Sequence, residues 1–433
     1  MKTRKCFIRQ LVLLILSLLL WLYIYRGDNY QEEAITLQDK HELIQNQHSD
    51  LNKFYRRPTL TMDLIGERLL QTSLGHHSPV NLNMTEKARY VNRMCRHINW
   101  QKRTVKSRHP VFFFSEQAGL LACKAPKTGS TLIGALFRAI NMSGEKNVSK
   151  VFQLGRNKIH KGLDEIRDQL ITEDIIESTS HVMVTRDPYS RLYSAFIDKY
   201  FLLGRLGRDL AIHLKRGFKE GNGTYCGYDY TFQDFLDYVI HLATNMVEMN
   251  EHMVPVSQLC DVCNVRYDLI SSQEKLTKDT DQILKLIKTV SIDRLEVIRK
   301  SIKSQQSTLL SLVSSYIFDY NNNKNDCPDK MAFSAKLWKT FQVQGIVHSE
   351  LVFPENEFSQ FSFHEREAAN MTSAILTQIK YKPLSSPERD LQRRRYLVKA
   401  YSGITWPTIA KLQNIYRLDI ALFGYPSYPP TII

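Results

Sequence analysis

A strand, a glycine-containing loop and a helix follow one another in this sequence, and that order strongly constrains the fold. The apolar run Leu120–Cys123 ends at Lys124-Ala-Pro-Lys-Thr-Gly-Ser-Thr131, and apolar residues then recur at helical spacing over Leu132–Ile140. Such a succession opens an α/β nucleotide-binding unit. A second strand, His181–Thr185, leads through Arg186-Asp187-Pro188 into another helix. We therefore predict an α/β fold with a P-loop-like parallel sheet flanked by helices.

The flanking segments complete the predicted organisation. Val111–Phe114 is a further strand, which forms a hairpin with Leu120–Cys123 or simply precedes it. The polar residues 26–108 are predicted to be a stem, and residues 109–427 a globular domain. Later helices are expected at residues 230–243, 278–289, 293–317, 365–381 and 406–420.

The first 25 residues predict a membrane anchor. Basic residues in the tail 1–10 precede Leu11–Tyr25, a run of 15 residues without charge. A span needs about 20 residues, and counting from Cys6 supplies the missing turn if Arg9 reaches back to the headgroups. A cleaved signal peptide is the alternative, but no small-x-small pattern follows Tyr25. The chain is thus predicted to be a single-pass type II membrane protein with a lumenal body.

The formal charge of +14, from 58 basic and 44 acidic residues, favours a polyanionic partner. Nucleic acid, an anionic membrane surface and an acidic glycan are the candidates, and a merely soluble basic surface is the alternative. Six cysteines beyond Cys6 fit an oxidising lumen. Five glycosylation sequons agree with it, at Asn83, Asn141, Asn147, Asn222 and Asn370. Because a lumenal protein does not meet nucleic acid, an anionic glycan is the favoured partner.

The loop before the first helix is a candidate phosphate site. A helix N-terminus offers unpaired backbone N–H groups and a positive dipole end. Gly129 allows close approach, Lys127 adds a charge, and Ser130 and Thr131 add hydroxyls. The spacing is not that of a Walker A loop, because the lysine precedes the glycine. An ordinary strand–helix turn is the alternative interpretation.

A second candidate site follows the strand His181–Thr185. Arg186 leaves the strand end, where ligands of open α/β sheets bind, and Ser194 lies about two helical turns further along. An arginine fork and a hydroxyl suit a terminal phosphate monoester. The alternative is an Arg–Asp surface pair at a helix start.

Together the two motifs resemble the 5′- and 3′-phosphosulfate-binding motifs of sulfotransferases that use PAPS (3′-phosphoadenosine-5′-phosphosulfate). The second is similar to that of the Golgi carbohydrate sulfotransferases (sulfotransferase family 2), a group that includes the HNK-1 and the chondroitin and dermatan 4-O-sulfotransferases. Asn250–Ile270, with its Asn-Glu-His and Cys-x-x-Cys, and Ile415–Tyr425 resemble further segments of that group. Residues 295–400 do not match it. The first motif continues as Leu132-Ile-Gly-Ala-Leu-Phe-Arg138 where the group commonly has Asn-Trp-Lys-Arg, and this departure bears on the acceptor.

The resemblance implies sulfuryl transfer from PAPS to a sugar hydroxyl of a glycosaminoglycan or glycoprotein glycan in the Golgi lumen, with no metal. The chondroitin/dermatan 4-O type is the first expectation. Lys127 would stabilise the departing group. The 5′-phosphosulfate would be held by Pro126, Lys127, Thr128, Gly129, Ser130, Thr131 and Leu132. The 3′-phosphate would be held by Arg186, Asp187, Pro188, Arg191 and Ser194.

The acceptor hydroxyl needs a general base, and His252 and His160 are the candidates, with Glu251 and Glu274 weaker. A basic set is a candidate glycan groove or a solvated face: Lys215, Arg216, Lys219 and Arg393 to Arg395. In the family context Cys260 and Cys263 are expected in structural disulfides, with Cys226 or Cys327 suggested as partners, rather than in a zinc or redox site. The competing function is a non-catalytic lumenal glycan- or nucleotide-binding protein on the same scaffold. A kinase-like enzyme is a third option, and it would need a Walker loop.

Overall fold

A computed structural model of the chain describes residues 82–98, 104–142, 147–161, 163–202, 205–215, 230–287, 289–325 and 327–431. The predicted tail and anchor, and most of the predicted stem, lie outside these residues. Within the described ranges, no helix is both long enough and apolar enough to span a bilayer.

The sheet has five strands, and it is mixed rather than wholly parallel. The strands are Val111–Ser115 (β1), Leu120–Cys123 (β2), Glu165–Arg167 (β3), Ser180–Thr185 (β4) and Leu269–Ser272 (β5), in the spatial order β3-β1-β2-β4-β5. The predicted parallel arrangement is confirmed for β2, β4 and β5. β1 runs antiparallel to β2 and to β3, which confirms the hairpin alternative for β1 and β2 and makes the sheet mixed. Only four residues join β1 to β2, whereas a parallel crossover needs a dozen or more.

Helices make up most of the rest of the described chain. They are Met84–Met94 (α1), Ser130–Asn141 (α2), Val148–Val151 (α3), Arg156–His160 (α4), Glu173–Ser178 (α5), Pro188–Phe196 (α6), Arg205–His213 (α7), Phe232–Thr244 (α8), Val256–Leu259 (α9), Leu276–Lys285 (α10), Ile292–Lys303 (α11), Gln305–Asn323 (α12), Lys330–Val343 (α13), Glu355–Phe358 (α14), Ala368–Tyr381 (α15), Ser386–Tyr401 (α16), Trp406–Ile415 (α17) and Arg417–Phe423 (α18). The helix expected over 293–317 is two helices, because Ser304 adopts an extended conformation and its hydroxyl caps α12.

Both faces of the sheet are covered, so alternate strand residues enter two different cores. Phe112, Leu121, Met183 and Ile270 belong to the core that α1, α6 and α8 share with the C-terminal helices. Residues next to them in the strands, including Phe113 and Val182, face the core of α2, α10 and α11. A third core joins α12, α13 and α15.

α1 lies within the segment predicted to be a stem. Its Asn83 side chain accepts from the Glu86 backbone N–H while the Glu86 carboxylate accepts from Asn83, a reciprocal capping box. Ala88, Val91 and Met94 are buried in the first core. The globular body thus includes at least this part of the predicted stem.

Two disulfides bind the Cys-x-x-Cys segment to distant parts of the fold. Cys260 is bonded to Cys123, the last residue of β2, and Cys263 to Cys95. The expectation of structural disulfides is confirmed for Cys260 and Cys263. The suggested partners Cys226 and Cys327 are wrong, because the two partners lie 137 and 168 residues upstream.

Replacing Cys123 and Cys260 together by serine is expected to lower the free energy of unfolding by about 3 kcal/mol, since the bond closes a long loop in the unfolded chain. Urea unfolding measures the loss. The matched pair Cys95→Ser with Cys263→Ser closes a loop of similar length and should lose a similar amount. A loss below about 1 kcal/mol for both pairs would contradict a stabilising role.

Candidate active site

The loop between β2 and α2 is shaped by two residues in left-handed conformations. Lys127 has φ 68° and Gly129 has φ 105°. A β-carbon at Gly129 would also collide with the Leu276 side chain at the start of α10. Both the positive φ and this close contact therefore favour glycine at the position. The Thr128 hydroxyl donates to the Ala125 carbonyl at 2.8 Å and closes the turn.

The residues predicted to hold the 5′-phosphosulfate therefore have two different roles. Thr128 and Pro126 are buried and shape the loop. Ser130, Thr131 and Leu132 are half-buried in the first turn of α2, where the first backbone N–H groups have no partner within the helix. The outer surface of the loop is thus a helix N-terminus with two hydroxyls, which suits an anion.

The Lys127 side chain enters a cluster of charges. Its Nζ lies 2.8 Å from Asp198 Oδ2 and is mostly buried. Burial lowers the pKa of Lys127 to about 8, and the Asp198 carboxylate opposes that shift. The ammonium is therefore still mostly protonated at neutral pH.

Asp198 lies in a π-helical turn, Ile197–Phe201, that directly follows α6. Arg156 Nη1 donates to both Asp198 oxygens at 3.0 and 2.9 Å, and Lys199 Nζ lies 3.6 Å away. Burial raises the pKa of Asp198, but the cations Arg156 and Lys127 outweigh it and hold that pKa well below its usual range. The cluster thus contains three cations around one buried carboxylate.

Arg186 connects the second motif to the first. Its Nη1 donates to the Lys127 carbonyl at 2.9 Å, and its Nε donates to Ser190 Oγ at 3.1 Å. Nη2 donates to no residue that the structure describes. Asp187 accepts from the Ser190 backbone N–H at 2.7 Å and caps α6, with Pro188 at its first position. Burial raises the pKa of Asp187 to about 6.

Arg191 lies inside the protein, with 1% of its surface exposed. It donates to three backbone carbonyls: Nε to Pro126 at 2.9 Å, Nη1 to Val254 at 2.6 Å and Nη2 to Glu251 at 2.8 Å. The geometry therefore gives Arg191 the role of fixing the loop against the 251–254 segment. Ser194 is half-buried one turn beyond Ser190.

The two candidate bases lie in different surroundings. His252 Nδ1 lies 2.7 Å from Asn250 Oδ1, an oxygen that also accepts from the His252 backbone N–H. Because that oxygen only accepts, Nδ1 carries the proton and Nε2 keeps its lone pair. Burial, with Lys199 and Lys127 nearby, holds the pKa of His252 well below its usual range. His252 is thus a neutral acceptor beside the Lys127 cluster.

His160 packs in the interior instead. Its ring stacks on Phe113 with centroids 5.8 Å apart and lies against Gly134 of α2. Burial, with Lys124 as the nearest cation, lowers its pKa to about 4. Of the two histidines, His252 is the better placed base.

The sequence analysis did not identify several charged residues that lie at this edge of the sheet. Arg156 lies in a short helix with no motif around it, and Asp198 and Lys199 stood inside the second motif but were taken only as helix. Lys87 of α1 is buried with its Nζ 5.7 Å from the centre of the Tyr425 ring, whose hydroxyl lies 2.8 Å from Thr185 Oγ1. The fold, not local sequence, brings these cations to the ends of β4 and β5.

The structure describes only some of the basic residues that were predicted to line a glycan groove. α16 packs on α6, and Arg393 lies close enough to act on the Arg186 charge. Arg393 Nη2 is paired with Asp390 Oδ1 at 2.7 Å. Lys215 ends the described segment 205–215, and Arg216 and Lys219 lie outside the described residues. No group of three or more metal-ligating side chains occurs in the described part of the chain.

Comparison with known proteins agrees with this geometry. The model of the Sulfotransferase family matches residues 110–326, half of the chain. Carbohydrate sulfotransferase 14 of Mus musculus is 34% identical over 107 residues, 24% of this chain and 28% of the relative. Carbohydrate sulfotransferase 11 of Rattus norvegicus is 28% identical over 185 residues, 40% of this chain and 51% of the relative. Carbohydrate sulfotransferase 8 of Mus musculus is 27% identical over 202 residues, 43% of this chain and 46% of the relative.

These matches span between about a quarter and a half of each relative's length. No solved structure matches the chain. The family match covers β1 to β5 and α2 to α12, and so includes the loop, Arg186 and the Asp198 cluster. The chain belongs to the sulfotransferase family.

Proposed function

We propose that this protein transfers a sulfuryl group from PAPS to a sugar hydroxyl of an anionic glycan. One observation carries the proposal. The Arg186 guanidinium donates to the Lys127 carbonyl at 2.9 Å, so the two candidate phosphate-binding segments lie side by side at the ends of β2 and β4. A donor with phosphate groups at two positions needs two such subsites side by side.

The site residues fit PAPS in kind. The N-terminus of α2 and the hydroxyls of Ser130 and Thr131 suit the 5′-phosphosulfate. Arg186, through its remaining Nη2, and Ser194 suit the 3′-phosphate. Arg191 supports them indirectly, by fixing the Pro126 end of the loop.

The chemical step needs fixed positive charge and a base. The bond between sulfur and the bridging oxygen breaks as the bond to the acceptor oxygen forms, and charge develops on the bridging oxygen. The Lys127 ammonium is placed to stabilise that charge. His252 Nε2, neutral and unprotonated, takes the proton of the acceptor hydroxyl.

The acceptor and the compartment belong to the same proposal. Arg393 of α16, which lies close enough to act on the Arg186 charge, favours an anionic glycan, and the names of the relatives favour a carbohydrate. We place the chondroitin/dermatan 4-O type first among acceptors. Two disulfides in the described residues fit an oxidising lumen, which agrees with a Golgi enzyme anchored by residues 11–25.

Incubation of the full-length protein with radiolabelled PAPS and a panel of chondroitin, dermatan and glycoprotein glycans tests this function. We expect label on at least one anionic glycan, at a position that disaccharide analysis identifies. Binding of PAP, the desulfated product of the donor, without transfer to any acceptor would favour the alternative of a non-catalytic binding protein.

Arg186→Gln is expected to weaken PAP binding by about a hundredfold, because it removes a charge-assisted fork from the phosphate. Isothermal titration calorimetry measures the dissociation constant. Arg167→Gln, at an exposed position of β3, serves as the control for loss of one charge. Equal affinities of both variants for PAP would contradict the assignment of the 3′-phosphate to Arg186.

The pH profile of kcat/KM should have one limb, near pH 8. Lys127 acts as a cation, so kcat/KM should fall as the pH rises through its pKa of about 8. His252 acts as a neutral base with a pKa held well below its usual range, so kcat/KM should stay level between about pH 7.5 and 6. A second limb near pH 6.5 would show that the base is an ordinary histidine.

A further inference from the structure

Asp198 has more positive partners than one carboxylate needs. The side chain is 2% exposed and accepts hydrogen bonds from Lys127 at 2.8 Å and from Arg156 through both oxygens, with Lys199 at 3.6 Å. A buried carboxylate with one partner would be left unpaired if that partner moved, which is costly. Asp198 is protected against that outcome.

Arg156 is fixed independently of Lys127. A second carboxylate, Asp319 of α12, pairs with its Nη2, and its guanidinium carbon lies 5.4 Å from the centre of the Tyr316 ring. The Arg156 backbone N–H donates to Ser315 Oγ at 2.9 Å. These three contacts all come from α12, which is packed in the separate core of α13 and α15.

Lys127, by contrast, pairs with one anion among the described residues, Asp198, and lies on the loop proposed to bind the donor. If Nζ turned away, both Asp198 oxygens would keep Arg156, and Lys199 would remain close. The free-energy cost of releasing Lys127 is therefore small, because no buried charge is left without a partner.

We infer that Asp198 is a positioning residue: it holds the Lys127 ammonium in the donor-free protein, and Arg156 remains as its partner when Lys127 turns to the bridging oxygen of the donor. The inference rests on the proposed sulfuryl transfer. It assigns a role to Arg156 and Asp198 that the phosphate motifs do not contain.

The charges around Lys127 predict opposite effects of two substitutions. Asp198 raises the pKa of Lys127, whereas Lys199 and Arg156 lower it. His252 lies close enough for the Lys127 charge to act on it, Arg186 donates to the Lys127 carbonyl, and Asp319 pairs with Arg156. Asp198→Asn should therefore move the alkaline limb of kcat/KM to lower pH, and Arg156→Gln should move it to higher pH.

The decisive kinetic test is a rescue. Arg156→Gln leaves Lys127 as the close partner of Asp198 and should lower kcat about tenfold, because Lys127 is then held away from the donor. Adding Asp198→Asn removes the carboxylate and should restore kcat to within about threefold of Asp198→Asn alone. Arg299→Gln, which breaks the ion pairs of Arg299 with Asp281 and Glu296 and none with Asp198 or Lys127, is the matched control and should leave kcat unchanged. A double variant no more active than Arg156→Gln, with melting temperatures that show both to be folded, would overturn the inference.

A readout without turnover separates this inference from the proposed function. The rate of Lys127 acetylation by acetic anhydride, followed by peptide mass spectrometry over a pH series, reports its protonation in the donor-free full-length protein. The midpoint is expected near pH 8, lower in Asp198→Asn and higher in Arg156→Gln. A wild-type protein that transfers no sulfate would defeat the proposed function while these midpoints still test the pairing. Unchanged midpoints in both variants would overturn the role of Asp198.

Discussion

Lys127→Ala is expected to lower kcat for sulfuryl transfer by about a thousandfold while PAP still binds. We assign the ammonium to the departing oxygen, and it lies in a mostly buried cluster where little water can replace it. Loss of one fixed donor from a site that stabilises developing charge costs on the order of 10²–10³ in rate. The effect belongs to the chemical step, so single-turnover kinetics with saturating PAPS is the measurement.

Lys124→Ala is the matched control for this prediction. Lys124 lies three residues earlier in the same loop, and its Nζ pairs with Glu165 Oε1 at 2.8 Å on β3, not with Asp198. Its loss should change kcat by less than about threefold. Equal losses in both variants would point to a disturbed loop, and full activity in Lys127→Ala would remove Lys127 from the chemical step.

The parts of the fold that depend on neighbouring residues in the sequence were predictable. The strand, glycine loop and helix around Gly129 were found from the sequence, because a left-handed residue and a helix start leave a clear mark on neighbouring positions. Arg186 was placed at a strand end for the same reason, and the structure brings it to the loop. For β1 the short turn before β2 left a hairpin as one of two alternatives, and the apolar pattern alone could not choose between them, because strand spacing is the same in parallel and antiparallel pairs.

Contacts between segments that lie far apart in the sequence could not be predicted. Arg156 meets Asp198 across 42 residues and Asp319 across 163, and no sequence period records such pairs. The disulfide partners of Cys260 and Cys263 are equally distant, so the nearer cysteines in the sequence were misleading. The resemblance assigned Arg191, which follows Arg186 by five positions, to the 3′-phosphate. On a helix, five positions turn a side chain to a different face, and here that face is the interior.

Arg191→Met should lower the free energy of unfolding by about 4 kcal/mol and the melting temperature by roughly 10 °C, with or without donor. The replacement keeps much of the volume but removes three donors. The carbonyls of Pro126, Glu251 and Val254 would then be buried without partners, each at a cost of about 1–3 kcal/mol before relaxation. Thermal unfolding of the donor-free protein measures the loss.

Arg417→Met is the control, because among the described residues Arg417 bonds only within its own turn, to the Asn414 carbonyl and side chain. Its loss should lower the melting temperature by less than about 2 °C. The sequence-based role and the structural role of Arg191 make opposite predictions. A phosphate ligand would weaken PAP binding at an unchanged melting temperature, whereas an arginine that fixes the loop lowers the melting temperature first and PAP affinity only through it. Arg191→Lys sharpens the comparison: it keeps the charge that a phosphate needs but cannot reach three carbonyls at once, so it too should be destabilised.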